Sequence, residues 1–168
     1  LRGLDVVDQE REPDDVVDEM ESLVKRGINV FHINDSEFNL SIAHPIALCE
    51  AIVRRGLAGK IRWYAYGMPR PFPDELAAAM KAAGCAGMNF GVDSASEKML
   101  KILKRTFRPA DIERAVTTVK RHGLEHILEL LFGAPGETRE TVRETIDFVK
   151  RIDPERVAVT VGLRIFPG

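Results

Sequence analysis

The segment Asn34-Asp35-Ser36-Glu37 gathers acceptor-rich side chains directly after the apolar run Ile28 to Ile33. At a strand end such a group can hold an ammonium group or a metal ion. Equally, Asp and Ser there can cap the next helix by accepting from its first N–H groups. Glu37 suits capping less well, because Phe38, Asn39 and Leu40 separate it from Ser41, the better cap candidate. In Asp93-Ser94-Ala95-Ser96-Glu97, Ser94 and Glu97 have the spacing of a capping box. Asp93 is left over, and a carboxylate beside a hydroxyl suits ribose hydroxyls. Gly133-Ala134-Pro135-Gly136-Glu137-Thr138 predicts a tight turn that lets a ligand approach the backbone, with Thr138 as N-cap of the following helix. Glycine-rich turns before helices also bind phosphate, but no Lys follows in P-loop spacing, which argues against a nucleoside triphosphatase.

Other reactive residue types read as structural. His32, His44, His122 and His126 show no metal-ligand spacing, and Gly123 breaks the helix between the last two. His32 shares a strand face with Ile28 and Val30, and the sequence leaves open which face looks inward. Cys49 and Cys85 follow apolar helical patterns and read as small packing residues, too few to ligate a cluster by themselves. Arg164 shares a strand face with Ala158, Thr160 and Gly162, opposite Val157, Val159, Val161, Leu163 and Ile165. In a barrel the valine face would pack beneath helices and Arg164 would point inward, toward a ligand anion or one of the loop acids.

The elements that must position these residues recur as one unit: a helix ending in glycine, a short strand, then a polar or glycine-rich loop. Helices are predicted at about 13–26, 42–55, 73–83, 97–104, 110–122 and 139–152, and strands at 28–33, 61–66, 88–92, 127–132 and 157–165. Strands alternating with helices imply parallel pairing through right-handed crossovers. The fold class is therefore α/β, five parallel strands with intervening helices, either an open doubly wound sheet or a partial TIM-like (β/α) barrel. The unusual residues all follow strands, which favours the barrel with its site on the C-terminal face.

With 168 residues and 45% hydrophobic content the chain predicts a single domain. A formal charge of -2 gives no general attraction for nucleic acid or an anionic membrane. No apolar run approaches the roughly 20 residues of a membrane span, and no secretory leader is visible, so the expected location is the cytoplasm. The chain starts without Met and stops just after a strand, as expected of a segment cut from something longer.

Taken together and in order, these loops resemble the radical S-adenosylmethionine (SAM) superfamily, nearest the cobalamin-domain-associated group and the methylthiotransferases, over essentially the whole chain. Asp35-Ser36-Glu37-Phe38 stands where the family has Gly-Gly-Glu, and Phe90 to Glu97 is similar to its Gly-x-Glu-Ser stretch. Leu130 to Thr138 matches its Gly-x-Pro-Gly-Glu-Thr turn, and Arg164-Ile165-Phe166-Pro167-Gly168 its Arg-x-Tyr-Pro-Gly ending. The resemblance implies that Asp35, Ser36 and Glu37 hold the amino group of the methionine moiety. Asp93 and Ser94 would meet the ribose or methionine carboxylate region, the backbone at Phe132 and Gly133 the adenine, and Arg164 the lumen.

The family's Cys-x-x-x-Cys-x-x-Cys loop, which binds a [4Fe–4S] cluster, has no counterpart, since residues 1–12 contain no cysteine. By resemblance they follow that loop, so the first strand and cluster loop would lie upstream. The parent protein is then expected to cleave SAM reductively to a 5′-deoxyadenosyl radical, as an Fe–S oxidoreductase or a methyl or methylthio transferase, and this segment alone to be inactive. Its partners would be the cofactors SAM and the cluster, an unspecified substrate, and cobalamin through a separate domain. The alternatives are a conventional barrel lyase or isomerase using Glu37, Asp93 and Arg164, with no strand-end lysine for a Schiff base, and a non-catalytic nucleoside-binding barrel.

Overall fold

Among the described residues, helices and strands follow one another as the hydrophobic periods require, alternating except where α4 leads directly into α5: α1 (Pro13–Lys25), β1 (Val30–Ile33), α2 (Ala43–Arg54), β2 (Arg62–Gly67), α3 (Asp74–Ala82), β3 (Cys85–Asp93), α4 (Glu97–Ile102), α5 (Pro109–Arg121), β4 (Glu125–Phe132), α6 (Arg139–Ile152) and β5 (Arg156–Val161). The computed structural model describes residues 10–35 and 37–162. Helix ends follow local chemistry. α1 opens on Pro13 with Asp14 and Asp15 in its first turn and ends with Lys25, matching the helix dipole. Gly27 closes it at φ +86°. Thr138 caps α6 by accepting from the Thr141 N–H at 3.4 Å.

All five strands are parallel and lie in sequence order β1-β2-β3-β4-β5. No strand order reverses, so the sheet is an open arc of a (β/α) barrel and not a doubly wound sheet. Right-handed crossovers between sequential neighbours put the helices on one side. That side of the sheet is apolar: Trp63 and Ala65 of β2, Met88, Phe90 and Val92 of β3, and Leu128 and Leu130 of β4 pack with Leu48 and Ile52 of α2, Leu76 and Met80 of α3, and Ile112 and Val116 of α5. The opposite side carries His32 beside Tyr64, Tyr66 beside Asn89, Gly91 beside Glu129, and Glu129 beside Ala158. This assigns His32 to the open face.

Several expectations need correction. Neither the acid loop nor Ser41 caps α2, whose N-cap is Ile42 without a side-chain bond. Ser96, and not Ser94, is the N-cap residue of α4, because the Ser94 hydroxyl is drawn inward elsewhere. β5 was expected to bury its valine face, yet Val157, Val159 and Val161 are 41%, 53% and 79% exposed. No helix among the described residues covers the outer side of this edge strand. Strand β3 also begins at Cys85, earlier than the apolar run suggests, because parallel pairing to β2 starts there.

Candidate functional site

The β1–α2 loop reaches the C-terminal edge of the sheet with Asp35 exposed and Glu37 half-buried. Both border a cleft of about 420 Å³ that also touches Arg11, Ile33, Phe38 and His44. The loop is anchored to the end of β2: Phe38 donates its N–H to the Tyr66 carbonyl at 2.8 Å, and its ring tilts against Trp63 at 5.5 Å. Ser36 and Arg164, both expected at the site, lie outside the described residues.

Asp93 ends β3 in a left-handed conformation, φ +57°, which Asp tolerates better than most side chains. Arg105, following α4, reaches back to it with Nε and Nη2 both 2.5 Å from Oδ2. Among the described residues Oδ1 accepts no hydrogen bond, so one carboxylate oxygen is fixed and the other is available. Ser94 takes the opposite course. It is 1% exposed, pairs with the Thr145 hydroxyl of α6 at 2.9 Å and accepts from the Ser96 N–H at 3.1 Å. Its hydroxyl therefore ties the β3–α4 loop to α6, and any ligand contact here falls to Asp93.

The glycine-rich turn after β4 is closed from within. Glu137 accepts from the Gly133 N–H, and the Phe132 carbonyl accepts from the Gly162 N–H at 2.7 Å. A flat ligand at this turn would meet the backbone face, not these two committed groups.

Below the mouth lies a second polar layer that the sequence reading missed. Tyr66, Asn89 and Glu129 are half-buried on the open face of β2, β3 and β4. Asn89 Nδ2 is 3.4 Å from Glu129 Oε1. The Tyr66 ring lies across β3 so closely that a Cβ at Gly91 would collide with its hydroxyl, which explains the glycine. Burial raises the Tyr66 pKa above its usual value, the carboxylate of Glu129 adds to the rise, and Arg105 opposes it. The phenol is thus a neutral donor at physiological pH. The detectable signal was alternation: Tyr64 and Tyr66, and Glu125 and Glu129, interrupt strands that would read as continuously apolar if both faces were covered.

The cysteines behave as packing residues. Both are buried and unpaired; burial pushes the Cys49 thiol up to about 12, and that of Cys85 also rises by burial. No group of three or more His, Cys, Asp or Glu side chains among the described residues could hold a metal ion. No helix among them is long and apolar enough to cross a membrane.

An arc of sequential parallel strands with its polar groups at the C-terminal edge defines a (β/α) barrel with its site at the mouth. Comparison with known proteins then fixes the family. The Radical SAM superfamily profile matches residues 4–149, and the chain belongs to that superfamily. It is 42% identical over 164 residues to the tryptophan 2-C-methyltransferase of Streptomyces laurentii, covering 90% of this chain and 27% of that protein. It is 30% identical over 158 residues to the ribosomal protein uS12 methylthiotransferase RimO of Parabacteroides distasonis, covering 89% of this chain and 37% of the relative. The structure of the radical SAM methyltransferase TsrM from Kitasatospora setae, with cobalamin and a [4Fe–4S] cluster bound, superposes with a TM-score of 0.87 at 40% identity, over 94% of this chain and 30% of the other. The chain therefore spans about a third or less of the length of most of these relatives.

Proposed function

We propose that this chain supplies the SAM-facing loops of a radical SAM methyltransferase that acts on a small-molecule substrate, in a protein that also carries a cobalamin-binding domain. The observation that carries this reading is Asp93: a strand-end carboxylate with Oδ2 held by Arg105 and Oδ1 accepting no hydrogen bond among the described residues, which leaves an acceptor for a ribose hydroxyl. Identity of 42% to a tryptophan methyltransferase and 40% to a cobalamin-binding methyltransferase supports methyl transfer over the methylthio and oxidoreductase alternatives.

The residues present fit SAM. Asp35 and Glu37 offer acceptors for the methionine ammonium, with Ser36 beside them in the loop. Asp93 takes the ribose, while Ser94 fixes the loop that carries Asp93 through its bond to Thr145. The Phe132–Gly133 turn offers its backbone face to adenine. Bound next to a reduced cluster, SAM supplies the radical or methyl chemistry of this superfamily. The cluster would be held from elsewhere in the protein, because Cys49 and Cys85 are buried and protonated. The inner layer of Tyr66, Asn89 and Glu129 faces the substrate, with a phenol to donate and a carboxylate to accept.

The test is reconstitution of the full-length protein with iron and sulfide. The electron paramagnetic resonance spectrum of the reduced cluster is expected to change on adding SAM, and methyl-labelled SAM to pass label to substrate. A cluster signal indifferent to SAM refutes the reading.

A further inference from the structure

One side chain joins the acid loop to the turn after β2. Asn39 is fully buried, at 0% exposure. Its Nδ2 donates to the carbonyls of Met68, at 2.8 Å, and Pro71, while its Oδ1 accepts from the Met68 N–H at 2.9 Å. The partners fix the amide orientation, since a flipped amide would set its oxygen against two carbonyls. The turn over residues 68–71 makes no backbone–backbone hydrogen bonds of its own, so Asn39 replaces them. The slot for this amide exists because residue 67 is glycine: a Cβ there would fall on Asn39 Oδ1, and within 2.9 Å of Met88 Cε. On the other side, Phe38 is held to Tyr66 and Trp63. Glu37 and Asp35 immediately precede this clamp.

We propose that Asn39 is a positioning residue for cofactor binding: by bridging the β1–α2 loop and the β2–α3 turn it sets where Glu37 and Asp35 stand at the mouth. All of its polar bonds run to backbone groups, so it acts on the ligand only through the acids. The inference rests on the assignment of Glu37 and Asp35 to the SAM ammonium group. A buried amide satisfied on both its donor and acceptor sides fixes a loop more rigidly than packing alone, because each unmade bond would leave a buried polar group without a partner.

The experiment measures the SAM dissociation constant of the full-length, cluster-loaded protein by calorimetry, with cluster content and thermal midpoint recorded for each variant. Asn39→Asp keeps the acceptor for Met68 N–H but faces two carbonyls with an oxygen, and is expected to weaken SAM binding at least about tenfold at unchanged cluster content. Gly67→Ala should do likewise by displacing the amide. In Asn39→Ala the slot is vacant, so adding Gly67→Ala should weaken SAM binding far less than it does alone, leaving only its contact with Met88 Cε; this non-additivity marks direct coupling. Val119→Ala, in the core under α5, is the stability control and should lower the midpoint without moving the SAM constant. If Asn39→Asp does not fold, Asn39→Ser, which keeps one donor, is read instead and should show an intermediate loss. A constant within twofold of wild type in the folded Asn39 variant, or full additivity with Gly67→Ala, overturns the proposal. Glu37→Gln separates the two layers of inference. If Glu37→Gln leaves SAM binding unchanged, the assignment of the acid loop fails. If it weakens binding while the Asn39 variant does not, only the positioning role fails.

Discussion

The two edges of the sheet use polar groups in opposite ways. At the N-terminal edge nearly every one is closed by a local partner. Trp63 donates to the Ala83 carbonyl at 3.0 Å, Lys81 to that of Gly123 at 2.6 Å, and Lys120 to those of Ile152 and Asp153. His126 is 2% exposed, and its Nε2 accepts from the Glu155 N–H at 3.1 Å. At the C-terminal edge, by contrast, Asp93 keeps one oxygen open, Glu37 stands half-buried at the mouth, and the inner layer holds the neutral Tyr66 phenol beside Glu129. Groups with full valence hold the fold; groups with spare valence are what a ligand can use. Under the proposed function, the closed end holds the fold and the open end takes the ligand, the division of labour usual in barrels.

The sharpest way to break this contrast is to damage the closed end. Leu124→Ala, a 3% exposed core side chain just before β4, should destabilise the protein by about 2–5 kcal/mol, from lost burial and the cavity left behind. The folded fraction, measured by denaturant titration alongside SAM calorimetry, should bind SAM as before. A large loss of affinity at intact folding would erase the distinction between the edges.

The converse variant is Asp93→Asn, chosen because Asn also tolerates the left-handed conformation found there. Losing a charge-assisted bond should raise the SAM dissociation constant about tenfold or more, while stability changes by less than about 1 kcal/mol. Equal loss of both would mean that Asp93 is only an ion-pair partner of Arg105.

A pH titration sharpens the comparison further. Burial lowers the His126 pKa below its ordinary value of 6.5. The neutral form is favoured in the folded state, so the stabilisation is complete above about pH 6.5 and is lost as pH falls through that value toward the folded pKa. Thermal midpoints should drop as the pH falls below about 6.5, and His126→Gln should flatten that part of the profile. The smallest effect is expected from Thr138→Ala, which removes the α6 N-cap at a cost of about 1 kcal/mol by chemical denaturation, without touching the SAM constant.

Much of the scaffold was legible in advance because its signals are local. Helix α6 was readable to the residue, since Thr138, its dipole-matched ends and Ile152 all lie within one stretch of chain. The candidate site was legible only in part. Asp35, Glu37 and Asp93 could be picked out because carboxylates after strands are conspicuous. Ser94 could be noticed but not interpreted, since its partner Thr145 lies 51 residues away. Arg105 and Asn39 gave no local sign of their roles.

The amino-acid sequence by itself determined the α/β alternation, the placement of unusual residues after strands and the packing role of both cysteines. These follow from periodicities of two and of about 3.6 residues and from the burial preference of each side chain. Only the tertiary structure decided that the strands run in unbroken order, that His32 and Tyr66 share the open face, and that Asp93 presents one oxygen while Ser94 turns inward. Those outcomes depend on pairs such as Asn89 with Glu129, 40 residues apart, and Asn39 with Met68, 29 apart. Strand register and crossover geometry bring such pairs together, and neither can be read from neighbouring residues alone.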